Sequence, residues 1–113
     1  MTSYSFGEVL LVPFPFTNQA TTKKRPTVVI SSNAYNQEKP DLILLAITSQ
    51  IRQPLPLGEC LISDWAEAGL LKPSVMKPIV TSLEKTLVLK SLGHLQTVDK
   101  QGLESILQQI IGT

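Results

Sequence analysis

Apolar residues come in three short runs in the first half of the chain and as a helical repeat at its end. Val9-Leu10-Leu11-Val12 closes on Pro13-Phe14-Pro15-Phe16, and Thr27-Val28-Val29-Ile30 opens on Pro26. Both runs predict strands, because proline is tolerated where a strand begins or ends but not inside a ladder. Residues 17–25 between them are polar with nothing to bury, which predicts a solvated loop ending in Lys23, Lys24 and Arg25. Residues 42–47 are apolar without a break, as in a central strand covered on both faces, and Thr48-Ser49-Gln50 marks where that strand surfaces.

The second half begins with a Pro- and Gly-bearing loop over residues 52–58. Residues 63–69 predict one or two helical turns, with Asp64 and Glu67 spaced as a capping box and Gly69 as a left-handed stop. Late strands are expected over residues 77–80 and 83–92, the second of which could instead start helical. From Thr97 onward, Leu103, Ile106, Leu107, Ile110 and Ile111 recur on one helical face, with Thr97 or Asp99 able to cap the start and Gly112 the end. Short strands, one short helix and a C-terminal amphipathic helix, without repeats, predict a mainly β (α+β) fold. Its expected form is a small, strongly curved antiparallel sheet or barrel with helices added, as one domain over residues 1–113.

Composition narrows the chemistry. The 113 residues hold ten Lys plus Arg and nine Asp plus Glu, a net charge of +1, which argues against a surface coated in positive charge. Cys60 is the lone cysteine and His94 the lone histidine, so neither an intramolecular disulfide nor a cysteine-built metal site can form. His94 by itself reads as a partly exposed strand residue. No nucleophile elbow, phosphate-binding Walker loop or dinucleotide fingerprint is present, and no apolar run is long enough to span a bilayer. The expectation is a soluble, unprocessed, cytoplasmic protein without cofactor or metal.

Charge placement changes the picture that total charge gives. Residues 9–37 carry three cations and no acid, and residues 59–67 carry three acids and no cation. Lys23, Lys24 and Arg25 could simply end a solvated loop, but Arg25 meets Pro26 at the mouth of a strand, where its guanidinium can be held. Thr48, Ser49 and Gln50 could line a cleft opposite this basic segment. Phe14 and Phe16 alternate, so one can face the core while the other offers a ring to a base.

Three ordered motifs then bring in a family: Gly7-Glu8-Val9-Leu10-Leu11-Val12-Pro13-Phe14-Pro15-Phe16-Thr17, Lys24-Arg25-Pro26-Thr27-Val28-Val29-Ile30-Ser31 and Ala46-Ile47-Thr48-Ser49-Gln50. Together they resemble the MazF/PemK (Kid) toxins of bacterial type II toxin-antitoxin systems. The likeness continues through Trp65-Ala66-Glu67-Ala68-Gly69-Leu70, Pro73-Ser74-Val75-Met76-Lys77 and Leu92-Gly93-His94-Leu95. The resemblance implies an SH3-like barrel, a homodimer and a sequence-selective, metal-independent endoribonuclease cutting single-stranded RNA, chiefly mRNA. It implies 2′,3′-cyclic phosphate and 5′-hydroxyl ends, and a cognate antitoxin.

By the same resemblance, Arg25 and Thr48 are the catalytic positions. A forked, permanently charged guanidinium suits the charge that builds on a phosphate under attack, and a threonine hydroxyl can donate to it. Phe16, Thr17, Lys23, Lys24, Ser49, Gln50, Arg52 and Lys77 are the candidate RNA-binding residues, with residues 17–24 and 52–58 as the target-choosing loops. The late strand departs from the family: many relatives carry an arginine-threonine pair where this chain has Met76-Lys77-Pro78 and Thr81. Two other functions compete. A non-catalytic RNA-binding or interaction module of the same fold conflicts with retention of both Arg25 and Thr48. A CcdB-like gyrase poison would need a tryptophan-containing tail, and this chain closes on Ile111-Gly112-Thr113.

Overall fold

The computed structural model describes residues 3–15 and 22–112. Six strands form one curled antiparallel sheet: β1 (Glu8–Pro15), β2 (Thr22–Val29), β3 (Asp41–Thr48), β4 (Cys60–Leu61), β5 (Val75–Glu84) and β6 (Lys90–His94). Their order across the sheet is β4-β5-β3-β2-β1-β6. Helix α1 (Asn33–Glu38) joins β2 to β3, a 3₁₀ turn (Lys85–Leu87) precedes β6, and α2 (Thr97–Ile110) ends the fold. The mainly β architecture with a C-terminal helix is as the sequence predicts, but the short helix is α1, and residues 63–69, expected to be helical, form turns only.

Strand alternation sorts the core into two layers. Val9, Val28, Leu45 and Ile47 lie on one face and pack with Leu103 and Ile106 of α2. Leu10, Val12, Phe14, Val29, Leu42, Leu44 and Ala46 form the other layer. Since β3 and the end of β2 at Thr27, Val28 and Val29 are buried on both faces, these stretches do not alternate apolar with exposed polar residues. Phe14 is thus a core residue, 1% exposed, while Phe16 and Thr17 lie outside the described residues.

Pro13, Pro15 and Pro78 lie inside strands that the sequence pattern cuts short. The expected end of the first strand at Val12 is corrected: β1 runs through Pro13 and Pro15, opposite Lys24 and Thr22. The Leu11 carbonyl accepts from Leu89 N–H on the far side from β2, so Pro13 and Pro15, of the same parity, aim their missing donors at an edge that, among the described residues, no strand covers. The expected loop is corrected in turn, because Lys23, Lys24 and Arg25 belong to β2, with Arg25 opposite Val12. Residues 77–80 and 83–84 belong to one β5, while the rest of the expected second strand runs through the 3₁₀ turn into β6; Pro78 falls where the β3–β5 register jumps between Ile47↔Met76 and Leu45↔Val80, a bulge that spares the ladder.

Local caps also differ from expectation. Asp64 and Glu67 do not make a capping box. Instead the Ser63 and Asp64 N–H groups donate to the two carboxylate oxygens of Asp99, at 2.7 and 2.8 Å, which ties the turn to α2. Gln96 and not Thr97 or Asp99 precedes α2 as its N-cap, and Ile111 rather than Gly112 follows as C-cap; Ile111 is 54% exposed, so the apolar stripe stops at Ile110. Helix α1 escapes periodicity because it is a single polar turn and a half. Ser32 caps it through Tyr35 N–H, and Asn36, bonded to Ser31 and Tyr4, anchors it.

Candidate active site

A cavity of about 490 Å³ opens at the end of the sheet where β2 and β3 part. Its cause lies in Pro26. The Ile30 N–H donates to the Ile43 carbonyl at 2.9 Å, so residues of the same parity in β2, Val28 and Pro26, turn their backbone groups towards β3. Pro26 has no N–H to give, and the β2–β3 pairing stops at Thr27↔Ala46. Past that point β3 carries Ile47, Thr48 and Ser49 away from Arg25, and all four residues, with Pro26, line the space left open.

The sequence-predicted catalytic pair therefore meets in one cavity. Arg25 is half-buried on a paired strand, and Thr48 is half-buried at the last position of β3. Thr48 Oγ1 accepts the Gln50 backbone N–H at 3.2 Å, a bond that turns the chain out of the strand and steadies the hydroxyl. The hydroxyl hydrogen itself has no acceptor among the described residues, so it can donate to a group entering the cavity.

The other candidates divide. Ser49 lines the cavity. Gln50 is exposed at its mouth and contributes its backbone N–H to Thr48. Lys23 and Lys24 are exposed on β2, on the same strand as Arg25 but outside the cavity lining. Arg52 is exposed in the loop after β3 and Lys77 half-buried in β5, and neither reaches the lining. Thr81 lies further along β5, opposite Leu44.

Sequence reasoning missed the opposite wall. Gly69, Leu70, Leu71, Lys72 and Ser74 come from the turn before β5, and Lys90 and Leu92 from β6. Gly69 has φ +90°, the expected left-handed stop, and a Cβ there would overlap the Leu92 carbonyl. At Gly93 a Cβ would lie 2.7 Å from the Ala68 carbonyl oxygen. The Gly69-Leu70 and Leu92-Gly93 pairs, read as family motifs, thus mark a close backbone crossing that fixes this wall.

His94 is exposed, as its sequence position suggests, and stands away from the cavity. Its Nε2 is 3.9 Å from Glu8 Oε1 and 3.4 Å from Ser5 Oγ. Burial, with Asp99 nearby as a lesser cause, pushes the Cys60 thiol up from its ordinary value; burial, then Glu8, does the same for Tyr4. Neither group lines the cavity. Among the described residues no three His, Cys, Asp or Glu side chains gather as a metal site, and no helix is long and apolar enough to cross a membrane.

Similarity to known proteins agrees with this geometry. No curated protein sequence matches the chain significantly. Among solved structures, Mycobacterium tuberculosis toxin MazF-mt6 superposes with a TM-score of 0.72 at 16% identity, over 88% of this chain and 91% of that one. An endoribonuclease from a mycobacterial species gives 0.69 at 19% identity, over 99% and 98%. The MazE-MazF structure from Deinococcus radiodurans gives 0.63 at 23%, over 96% and 99%. These likenesses establish the fold. The model of the PemK-like, MazF-like toxins of type II toxin-antitoxin systems matches residues 5–111, and with nearly the whole chain covered, the protein belongs to that family.

Proposed function

We propose that this chain is a sequence-selective, metal-independent endoribonuclease toxin that cuts single-stranded RNA, works in the cytoplasm as a homodimer of one-domain subunits (residues 1–113), and is neutralised by a cognate antitoxin. The convergence of Arg25, Thr48 and Ser49 on one cavity carries this reading. Mycobacterial and Deinococcus structures of the same fold, described as an endoribonuclease with its cognate antitoxin and as MazE-MazF, support the partner.

The chemistry follows from the residue types. The ribose 2′-oxygen forms a bond to the adjacent phosphorus, the bond from phosphorus to the 5′-oxygen breaks, and the 2′-proton leaves while the 5′-oxygen gains one. The products are a 2′,3′-cyclic phosphate and a 5′-hydroxyl, and no water is consumed. Negative charge grows on the non-bridging oxygens, where the Arg25 guanidinium and the Thr48 hydroxyl would receive it. Ser49 and Gln50 would seat the backbone or a neighbouring base, and Lys23, Lys24, Arg52 and Lys77, beyond the cavity, would meet more distant phosphates. Positioning and charge stabilisation supply the rate, since neither arginine nor threonine titrates near neutral pH.

The test is to incubate the protein with long single-stranded RNA in EDTA and map the ends. Discrete cuts bearing cyclic phosphates are expected, with cleavage falling about 10²- to 10³-fold in a folded Arg25→Ala variant. Intact RNA at high protein concentration overturns the reading.

A further inference from the structure

The wall facing Arg25 and Thr48 has no part in the proposal above, and its composition is distinctive. Among the described residues three cations line the cavity, Arg25, Lys72 and Lys90, and no carboxylate does, in a chain whose net charge is only +1. The floor between them is apolar, built from Leu11, Pro26, Ile47 and Leu92. Leu71 stands at the rim, 95% exposed. Single exposed leucines are ordinary on protein surfaces; this one borders a polyanion-compatible cavity.

The wall is also held in place. The Gly69–Leu92 and Gly93–Ala68 approaches leave no room for a Cβ on either side. The Leu70 N–H donates to the Trp65 carbonyl at 3.0 Å, and Ser74 Oγ donates to the Lys72 carbonyl at 2.9 Å. Asp99, 2% exposed, anchors the start of the same turn through Ser63 and Asp64. Lys90 sits on β6 opposite Leu11 of β1. A segment ordered this way positions Leu71 and Lys72 without drawing on ligand binding energy to arrange them.

We infer that Leu71, Lys72 and Lys90 form the binding wall for one nucleotide next to the bond that is cut, with the two lysines gripping the phosphates on either side of it and Leu71 covering its base. This rests on the RNA-cutting reading. The cavity, about 490 Å³, lies in the range of sites that enclose one small ligand. Apolar surface beneath and cations at the edges suit a nucleotide, whose base face is apolar and whose phosphates are charged.

The experiment compares wild type with Lys72→Ala, Lys90→Ala, the double variant and Lys72→Arg; Lys39→Ala, exposed at the end of α1 and outside the cavity, is the control. Each is measured for cleavage of long RNA and for binding of random-sequence, single-stranded 2′-O-methyl RNA across a salt series. The double variant is expected to bind at least 10-fold more weakly, to raise KM while kcat stays within about 3-fold, and to flatten the salt slope by about 1.4, from 0.7 per lost phosphate contact. Lys39→Ala should match wild type, and Lys72→Arg, which keeps the charge, should keep the wild-type salt slope. Wild-type cleavage with an unchanged double variant overturns this wall and leaves the RNA-cutting reading standing. Binding that weakens in the double variant, in a wild type that does not cut, upholds the wall and overturns the cutting. Circular dichroism identifies misfolded variants, for which Lys72→Gln and Lys90→Gln replace alanine.

Discussion

One face of the central strands meets two fates within a few residues. At one end Val9, Val28 and Leu45 lie under Leu103 and Ile106 of α2 and are fully buried. At the other, Leu11 and Pro26 continue the same face but floor an open cavity, with Ile47, itself buried, at the boundary between the two. The side chains are chemically alike, so hydrophobicity does not separate the two ends. Coverage does: α2 spans only part of the sheet, and the ladder that would close the far end lacks a donor at Pro26. This site exists because packing and pairing both stop at the same place, with Arg25 and Thr48 left at the break.

That contrast can be broken from either side. The largest effect is expected at the covered end: Leu103→Ala should cost about 2–5 kcal/mol in a denaturant titration, through lost burial and the cavity left behind. Cleavage per folded molecule should stay unchanged, since Leu103 is absent from the cavity lining. A loss of cleavage without loss of stability would mean that the two ends are coupled.

At the open end, Pro26→Ala restores an N–H aimed at β3 opposite Ile47. A new ladder bond is worth about 1 kcal/mol, and the added freedom of the unfolded chain costs about 0.4–1 kcal/mol. Stability should therefore hardly move, while the narrowed gap lowers cleavage several-fold; amide exchange at residue 26 reports the new bond. Unchanged cleavage in the presence of that bond would show that the gap is not what admits the substrate.

The smallest effect concerns Cys60, which packs against the covered face, beside α2. Burial, then Asp99, raises its thiol above the ordinary 9.0, so the unfolded chain loses that proton first as pH rises. The thiol's contribution to stability is full below about 9.0 and fades above it as pH climbs through the folded value. Unfolding curves of wild type and Cys60→Ala should accordingly draw together above pH 9.0, and parallel pH profiles would remove this contribution.

Much of the fold was legible. The unbroken apolar run 42–47 became β3, buried on both faces, and the repeat through Leu103, Ile106 and Ile110 became α2. What misled was proline. Pro13, Pro15 and Pro78 look like strand breakers, and they are harmless where an edge or a bulge leaves their missing donors facing nothing. Lys23 and Lys24 looked like loop because they are polar, yet β1 recruits them as a partner strand through backbone bonds that ignore side-chain chemistry.

For the site, sequence motifs carried Arg25, Thr48 and Ser49, and these do converge. They also named Arg52 and Lys77, which stand apart from the cavity, and passed over Lys72 and Lys90, which line it. The reason is geometric. Lysine in a turn or on a strand has no local signature, and its neighbours are set by how far a sheet curls.

Sequence alone was enough for β3, for α2, for most apolar core positions, and for the local polarisation of charge although the total is near zero. These follow from short-range sterics and from burial, both written residue by residue. It took the assembled fold to leave one end of the sheet open beyond α2, to lay β6 against the turn at Gly69, and to bring three cations from three separate elements to one opening. Those depend on long-range pairing and on the curl of the sheet, and each is a sum over many strands that no local window contains.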